Sequence, residues 1–216
     1  MTSETTEEQA TATTSGANVA QTMGAAGTTV KTGIVTSLKG IDEIESEIVS
    51  LVRNTVSNSL RASGAVGTEA INVTKDVVKG AISATEEVGA GLVLATKSVA
   101  KGVVMGVSDV GGDVISAATE TARAAVKGTA AVGGDIALVA KRTVDGVIEA
   151  TTETGGNVFE TATAAANGAV EAAGTIGTTA VTTVRDILLG VVGGVKEVAS
   201  AALPKPSQPT AGAPQA

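Results

Sequence analysis

The sequence predicts an all-α protein of amphipathic 22-residue repeats, each made of two 11-residue halves, forming long helices or a few-helix antiparallel bundle with disordered ends. Three observations predict it. A unit of 22 residues recurs without slippage over residues 23–198, apolar side chains within each unit are spaced by three and four, and no proline precedes Pro204. The period is plainest at Gly111-Gly112-Asp113-Val114, Gly133-Gly134-Asp135-Ile136 and Gly155-Gly156-Asn157-Val158; the same step reaches Gly67, Gly89 and Gly177, and runs back to Met23 and Glu45. Eight consecutive units result, and such self-similarity decides architecture before any local pattern does.

Residues 1–22 are rich in Thr, Glu and Ala without periodicity and read as a disordered head. Residues 23–198 are the array, and residues 199–216 hold all four prolines in a flexible Pro/Ala tail. Inside the array, unit position 16 is aliphatic in every copy: Leu38, Leu60, Ile82, Val104, Val126, Ile148, Val170 and Val192. An 11-residue repeat makes 3.67 residues per turn, so it barely drifts against an α-helix and keeps its apolar side chains on one stripe. Alternation of period two, which a strand requires, is not sustained. Local signals add a helix over 42–62, with Asp42 as its start and Ile44, Ile48, Leu51, Val52, Val56 and Leu60 on its apolar face.

Charges follow the same register. Position 9 carries Lys31, Arg53, Lys75, Lys97, Lys141 and Arg185, and position 13 adds Lys79, Lys101 and Arg123. Together they form a basic flank beside the apolar stripe. Acidic residues, among them Asp113 and Asp135 at position 3 and Asp109 and Glu153 at position 21, fall on the outer face. An apolar face bordered by Lys and Arg suits a lipid interface, where their stems lie along the boundary and their heads meet phosphates. Charges four residues apart serve a solvated helix equally well.

Glycine decides what the array can be. Of 27 glycines, 25 lie within it, and at about 1 kcal/mol each relative to Ala they weigh on the order of 25 kcal/mol against a free helix. Something must therefore bury the stripe: a lipid surface, a partner helix, or the chain itself. The unbroken 11-residue phase favours two to four long segments. Folding back would place turns at Gly-Gly-Asp or Gly-Gly-Asn, glycine ending one helix and Asp or Asn capping the next. Gly80, Gly102, Gly146, Gly168 and Gly190, at position 14, fall mid-unit and would permit close helix approach. A β-solenoid, which Gly, Val and Thr can suit, is the third arrangement.

Composition excludes several functions. The chain has no His, Cys, Trp or Tyr and one aromatic residue, Phe159, assigned to core or lipid contact. Without His or Cys there is no Ser-His-Asp or Cys-His arrangement and no imidazole or thiolate metal site. The Gly-Gly sites lack the Lys-Ser/Thr ending of a phosphate loop. No catalytic residue, cofactor, metal or small-molecule substrate is expected. A net charge of −7 without a basic patch argues against nucleic acid. No secretory signal is visible, and the longest apolar run, Ile187 to Val195, is about half of a bilayer span, so a cytoplasmic location peripheral to a membrane or granule is expected.

The array resembles the 11/22-residue amphipathic repeat proteins: synucleins, exchangeable apolipoproteins, perilipin-type droplet coats and late embryogenesis abundant proteins. The likeness is carried by Thr96-Lys97-Ser98-Val99-Ala100-Lys101-Gly102-Val103-Val104 and Lys141-Arg142-Thr143-Val144-Asp145-Gly146-Val147, which are similar to the Lys-Thr-Lys-x-Gly-Val core of the synuclein repeat. The tail is similar in style to granule-coating phasins. Departures are the missing inter-repeat prolines of apolipoproteins, the low charge density and the absent acidic tail. The resemblance implies a non-enzymatic protein that binds or coats a membrane, lipid droplet or storage granule. The alternatives are a self-associating helical bundle or filament scaffold, and a stress protectant that folds on drying.

Overall fold

A computed structural model describes residues 27–33, 44–64, 68–88 and 91–202. The head, residues 203–216 of the tail, Leu38 and Asp42 lie outside the described residues; residues 199–202, assigned to the flexible tail, are helical at the end of the last helix. Among the described residues eight helices follow one another: α1 (27–33), α2 (Ile44–Ser63), α3 (Thr68–Val88), α4 (Leu92–Ser108), α5 (Val114–Ala131), α6 (Ile136–Thr154), α7 (Val158–Gly174) and α8 (Thr178–Ala202). No strand occurs among the described residues, so the β-solenoid is set aside. The fold is all-α and repetitive, with one helix per 22-residue unit. This corrects the preference for two to four long segments, because the chain folds back at Gly111-Gly112, Gly133-Gly134 and Gly155-Gly156.

The turns show why. Gly111, Gly133 and Gly155 adopt left-handed backbone, with φ of 69°, 71° and 74°, a conformation open to glycine without steric penalty. The following N–H of Gly112, Gly134 and Gly156 donates to the carbonyl of Val107, Thr129 and Thr151, each at 2.9 Å. That is the six-to-one bond of a Schellman closure, and it satisfies carbonyls the ending helix would leave orphaned. Asp113, Asp135 and Asn157 then take extended backbone and cap the next helix. Asp113 Oδ1 accepts from the N–H of Ile115 and Ser116, both at 3.0 Å, and Asp135 Oδ1 accepts from Leu138 at 3.0 Å. In these units position 3 is thus a helix start, not part of an acidic outer face.

The turn can break the helix without breaking the sequence register, because each 22-residue unit still begins at the same phase. Neighbouring helices pack as hairpins, and each helix also packs along the one two places on. The result is two layers, even-numbered helices in one and odd-numbered helices in the other. Within a layer the helices are parallel: Gly102 stands against Val49 and Val52, and Gly106, one turn later, against Arg53 and Val56.

Position 14 provides that close approach. A methyl group placed on Gly146 would collide with the Lys97 carbonyl oxygen, and one on Gly168 would collide with that of Thr119. Both clashes are with backbone, which cannot swing aside, so only glycine fits. The buried stripe fills the space between layers. Around α1–α5 the core is built on Ile48, Val52, Val56, Leu60, Val73, Val77, Val103 and Val107. Toward α8 it turns to Ala118, Ala122, Ala140, Ala162, Ala165, Ala169 and Ala173, with Val104, Val126, Val144 and Val147 between them. Buried threonines return their hydroxyls to the helix: Thr121, Thr143 and Thr151 donate to the carbonyl four residues back at 2.7–2.8 Å.

Candidate functional site

The predicted apolar stripe is internal. Leu60, Ile82, Val104 and Val126 are buried, while Ile148, Val170 and Val192 are partly buried against the alanine-rich core. These side chains face helices of their own chain, so along α2–α7 they are not free to meet lipid.

The basic flank is likewise engaged. Arg53 grips Asp109 with two bonds, Nε to Oδ2 at 2.6 Å and Nη2 to Oδ1 at 2.7 Å. The fork geometry of guanidinium on carboxylate makes this a directional contact, and it holds the Asp109 carboxyl below the usual carboxylate range. Lys97 reaches Glu149 at 2.5 Å, and Lys101 reaches Glu153 at 2.5 Å and Glu149 at 3.8 Å. Arg123 joins Glu171 and the buried Glu120, both at 2.6 Å, and Lys75 adds to Glu120 at 3.7 Å. Lys141 pairs within its own helix with Asp145 at 2.9 Å. Each inter-helix pair joins a base at position 9 or 13 to an acid in the unit two places on. Lys31 lies on α1 with a polar or ionic interaction of its own. Lys79 is exposed and its charge acts on Asp76, whose carboxyl is pushed up by burial and drawn back by Lys79. Arg185 stands exposed on α8.

Sequence reasoning missed Glu120, Glu149 and Glu171 as the partners of this flank. Their signal was available: acids at positions 10 and 17 sit in register with bases two units earlier. Only knowledge that alternate helices share a layer turns that spacing into a contact.

Two grooves border the array. One, of about 600 Å³, runs between the starts of α4 and α6 and is lined by Leu92, Leu94, Val132, Glu86, Asp135 and Arg142. The second, of about 520 Å³, continues past Asp135 to the start of α8 at Ile176–Ala180. Among the described residues no group of three or more acids stands where it could hold a metal ion. The grooves offer apolar contact and a few isolated charges, the makings of an interaction surface.

The last helix differs from the three before it. Its turn reads Gly177-Thr178-Thr179 in place of the Gly-Gly-Asp or Gly-Gly-Asn that precedes α5, α6 and α7, Gly177 has φ 154°, and the helix begins at Thr178. Thr178–Glu197 is long and apolar enough to cross a membrane by length and composition, and little of it is buried. The longest apolar run by itself amounts to half a span; Thr178–Val184, on the other side of Arg185-Asp186, lengthens it. Leu189 is 65% exposed, the largest value among the exposed large hydrophobic residues described. Phe159 is 39% exposed at the start of α7, so it belongs to the surface and not the core.

No family model and no curated protein matches this chain. Among solved structures, the crystal structure of a de novo designed helical repeat protein is similar at 17% identity and a TM-score of 0.48, over 81% of this chain and 96% of that one.

Proposed function

We propose that this protein is a non-enzymatic helical-repeat scaffold whose array is stabilised by itself and whose surfaces serve to hold partners or further copies. One observation carries the reading: the apolar stripe and most of the described basic flank, the features that would meet lipid, are taken up by contacts between helices two places apart. Stability in such arrays is approximately a sum of unit and nearest-neighbour terms, and extended repeat surfaces suit binding of other molecules.

A second reading, attachment to a lipid or granule surface as the interfacial repeat families suggest, is supported by α8, the one long apolar helix among the described residues that lies largely uncovered. Circular dichroism separates the two. The scaffold reading expects strong helicity in dilute buffer, a cooperative thermal transition, and no change on adding phosphatidylcholine/phosphatidylserine vesicles. A chain that is coil in buffer and helical only with vesicles would replace the scaffold by a coat. Helix appearing only on drying would replace it by a stress protectant.

A further inference from the structure

The outward face of α8 departs from the pattern shared by α5, α6 and α7. At unit position 13 those three helices carry Arg123, Asp145 and Asn167, and at position 17 Lys127, Glu149 and Glu171. In α8 the same places hold Leu189 and Gly193. Leu189 stands 65% exposed, and a methyl placed on Gly190, Gly193 or Gly194 would meet nothing within 4 Å. A knob and a notch thus lie four residues apart on one uncovered face. Arg185 and Asp186 precede them and Lys196 and Glu197 follow, all exposed.

We propose that this face is covered by α8 of a second copy, the two helices running antiparallel about a two-fold axis beside Val191. In that register every facing pair is equidistant from Val191. Leu189 seats over Gly193 of the partner subunit, Arg185 faces Glu197 of the partner subunit, and Asp186 faces Lys196 of the partner subunit. The two-fold repeats each contact, which is the self-complementarity an isologous interface requires. Side chains three and four residues apart on a helix share a face, so Thr182, Asp186, Leu189, Gly193 and Lys196 form one seam. A parallel pair would instead set Arg185 against Arg185 and Glu197 against Glu197, like charge against like. A bilayer would take the same face but would offer Arg185 and Asp186 no opposite charge in a medium where each is costly. A second copy supplies both partners.

This pairing rests on the self-packed array, since only the folded chain presents α8 in this way; helicity reads the array and mass reads the pairing. Analytical ultracentrifugation of the full chain should show a concentration-dependent twofold mass. Leu189→Lys should raise the dissociation constant about tenfold or more while leaving the dichroism melt in place. Arg185→Glu should weaken the dimer because it sets the new carboxylate against Glu197 at both symmetry-related contacts, and adding Glu197→Arg should restore it. The chain has no cysteine, so a mixture of Leu189→Cys and Gly193→Cys chains should form the mixed disulfide on oxidation in preference to either like pair.

A folded monomer at every concentration would overturn the proposal, as would a dimer indifferent to Leu189→Lys or one not restored by the charge exchange. A chain that stays monomeric in buffer and has α8 protected from hydrogen exchange only on phosphatidylcholine/phosphatidylserine vesicles would assign the face to lipid and overturn it too.

Discussion

Gly146 and Gly190 hold the same place in the 22-residue unit, yet one lies against a neighbouring backbone and the other faces open space. Around Gly146, α4 and α6 approach so closely that a methyl would strike the Lys97 carbonyl; around Gly190 such a methyl would meet no atom within 4 Å. The same contrast separates Leu60, 1% exposed in the core, from Leu189, 65% exposed on α8. It also separates two arginines that share position 9, Arg53, held by Asp109 through two bonds, and the exposed Arg185. What a repeat position does is therefore set by whether a neighbouring helix covers it.

The largest effect that can break this comparison comes from the core. Leu60→Ala should cost about 2–5 kcal/mol, through lost transfer energy and the cavity left behind. Leu189→Ala, measured in dilute solution by the same denaturant melt, should stay within about 0.5 kcal/mol of the parent. Comparable losses at the two sites would mean that α8 is packed as tightly as α2.

The glycines should differ in sign. Gly146→Ala improves helix propensity but overpacks a backbone contact, so a loss of about 1–3 kcal/mol is expected. Gly190→Ala has only the propensity gain and should stabilise by up to about 1 kcal/mol. Thermal melts of the two single variants read this directly.

Capping gives a smaller effect with a pH signature. Asp113→Ala should cost about 1 kcal/mol at neutral pH. The Asp113 carboxyl is held below its usual range by bonds from the Ser116 hydroxyl and from the N–H groups of Ser116 and Ile115. Because its folded pKa is the lower one, its stabilisation is present above the unfolded value of about 3.9 and is lost as pH falls through the folded value. Asp109, held down by Arg53, acts in the same direction. Burial raises Asp76, so its contribution is instead lost as pH rises through its folded value. The gap between parent and Asp113→Ala in urea melts should close below about pH 4.

The smallest effects belong to the charge ladder. Lys101→Met removes pairs to Glu149 and Glu153 that are partly exposed, so it should cost no more than about 1 kcal/mol, less in high salt. Arg185→Met should leave the melt of the dilute chain unchanged, since Arg185 lies outside this inter-helix ladder.

Much of the fold was legible beforehand. The helix over 42–62 matches α2 at Ile44–Ser63, and of the mid-unit glycines Gly80, Gly102, Gly146 and Gly168 do mediate close approach while Gly190 does not. The Gly-Gly-Asp turns were legible as one of two outcomes, because an unbroken 11-residue phase accommodates either a continuous helix or one that restarts in register every unit. The surface was less legible. Arg53 and Asp109 stand 56 residues apart, and no local pattern says that their helices are neighbours.

The sequence by itself determined the helical class, the period, the stripe and the places where the backbone can reverse, because these depend on spacing, proline absence and the left-handed freedom of Gly111, Gly133 and Gly155. Only the tertiary structure decided what covers the stripe. Alternate helices lying parallel in one layer brought Lys97 to Glu149 and Arg123 to Glu171, and engaged the flank that spacing alone had offered to lipid. The physical reason is that burial and charge pairing depend on distance in space, and the repeat fixes distance only along the chain.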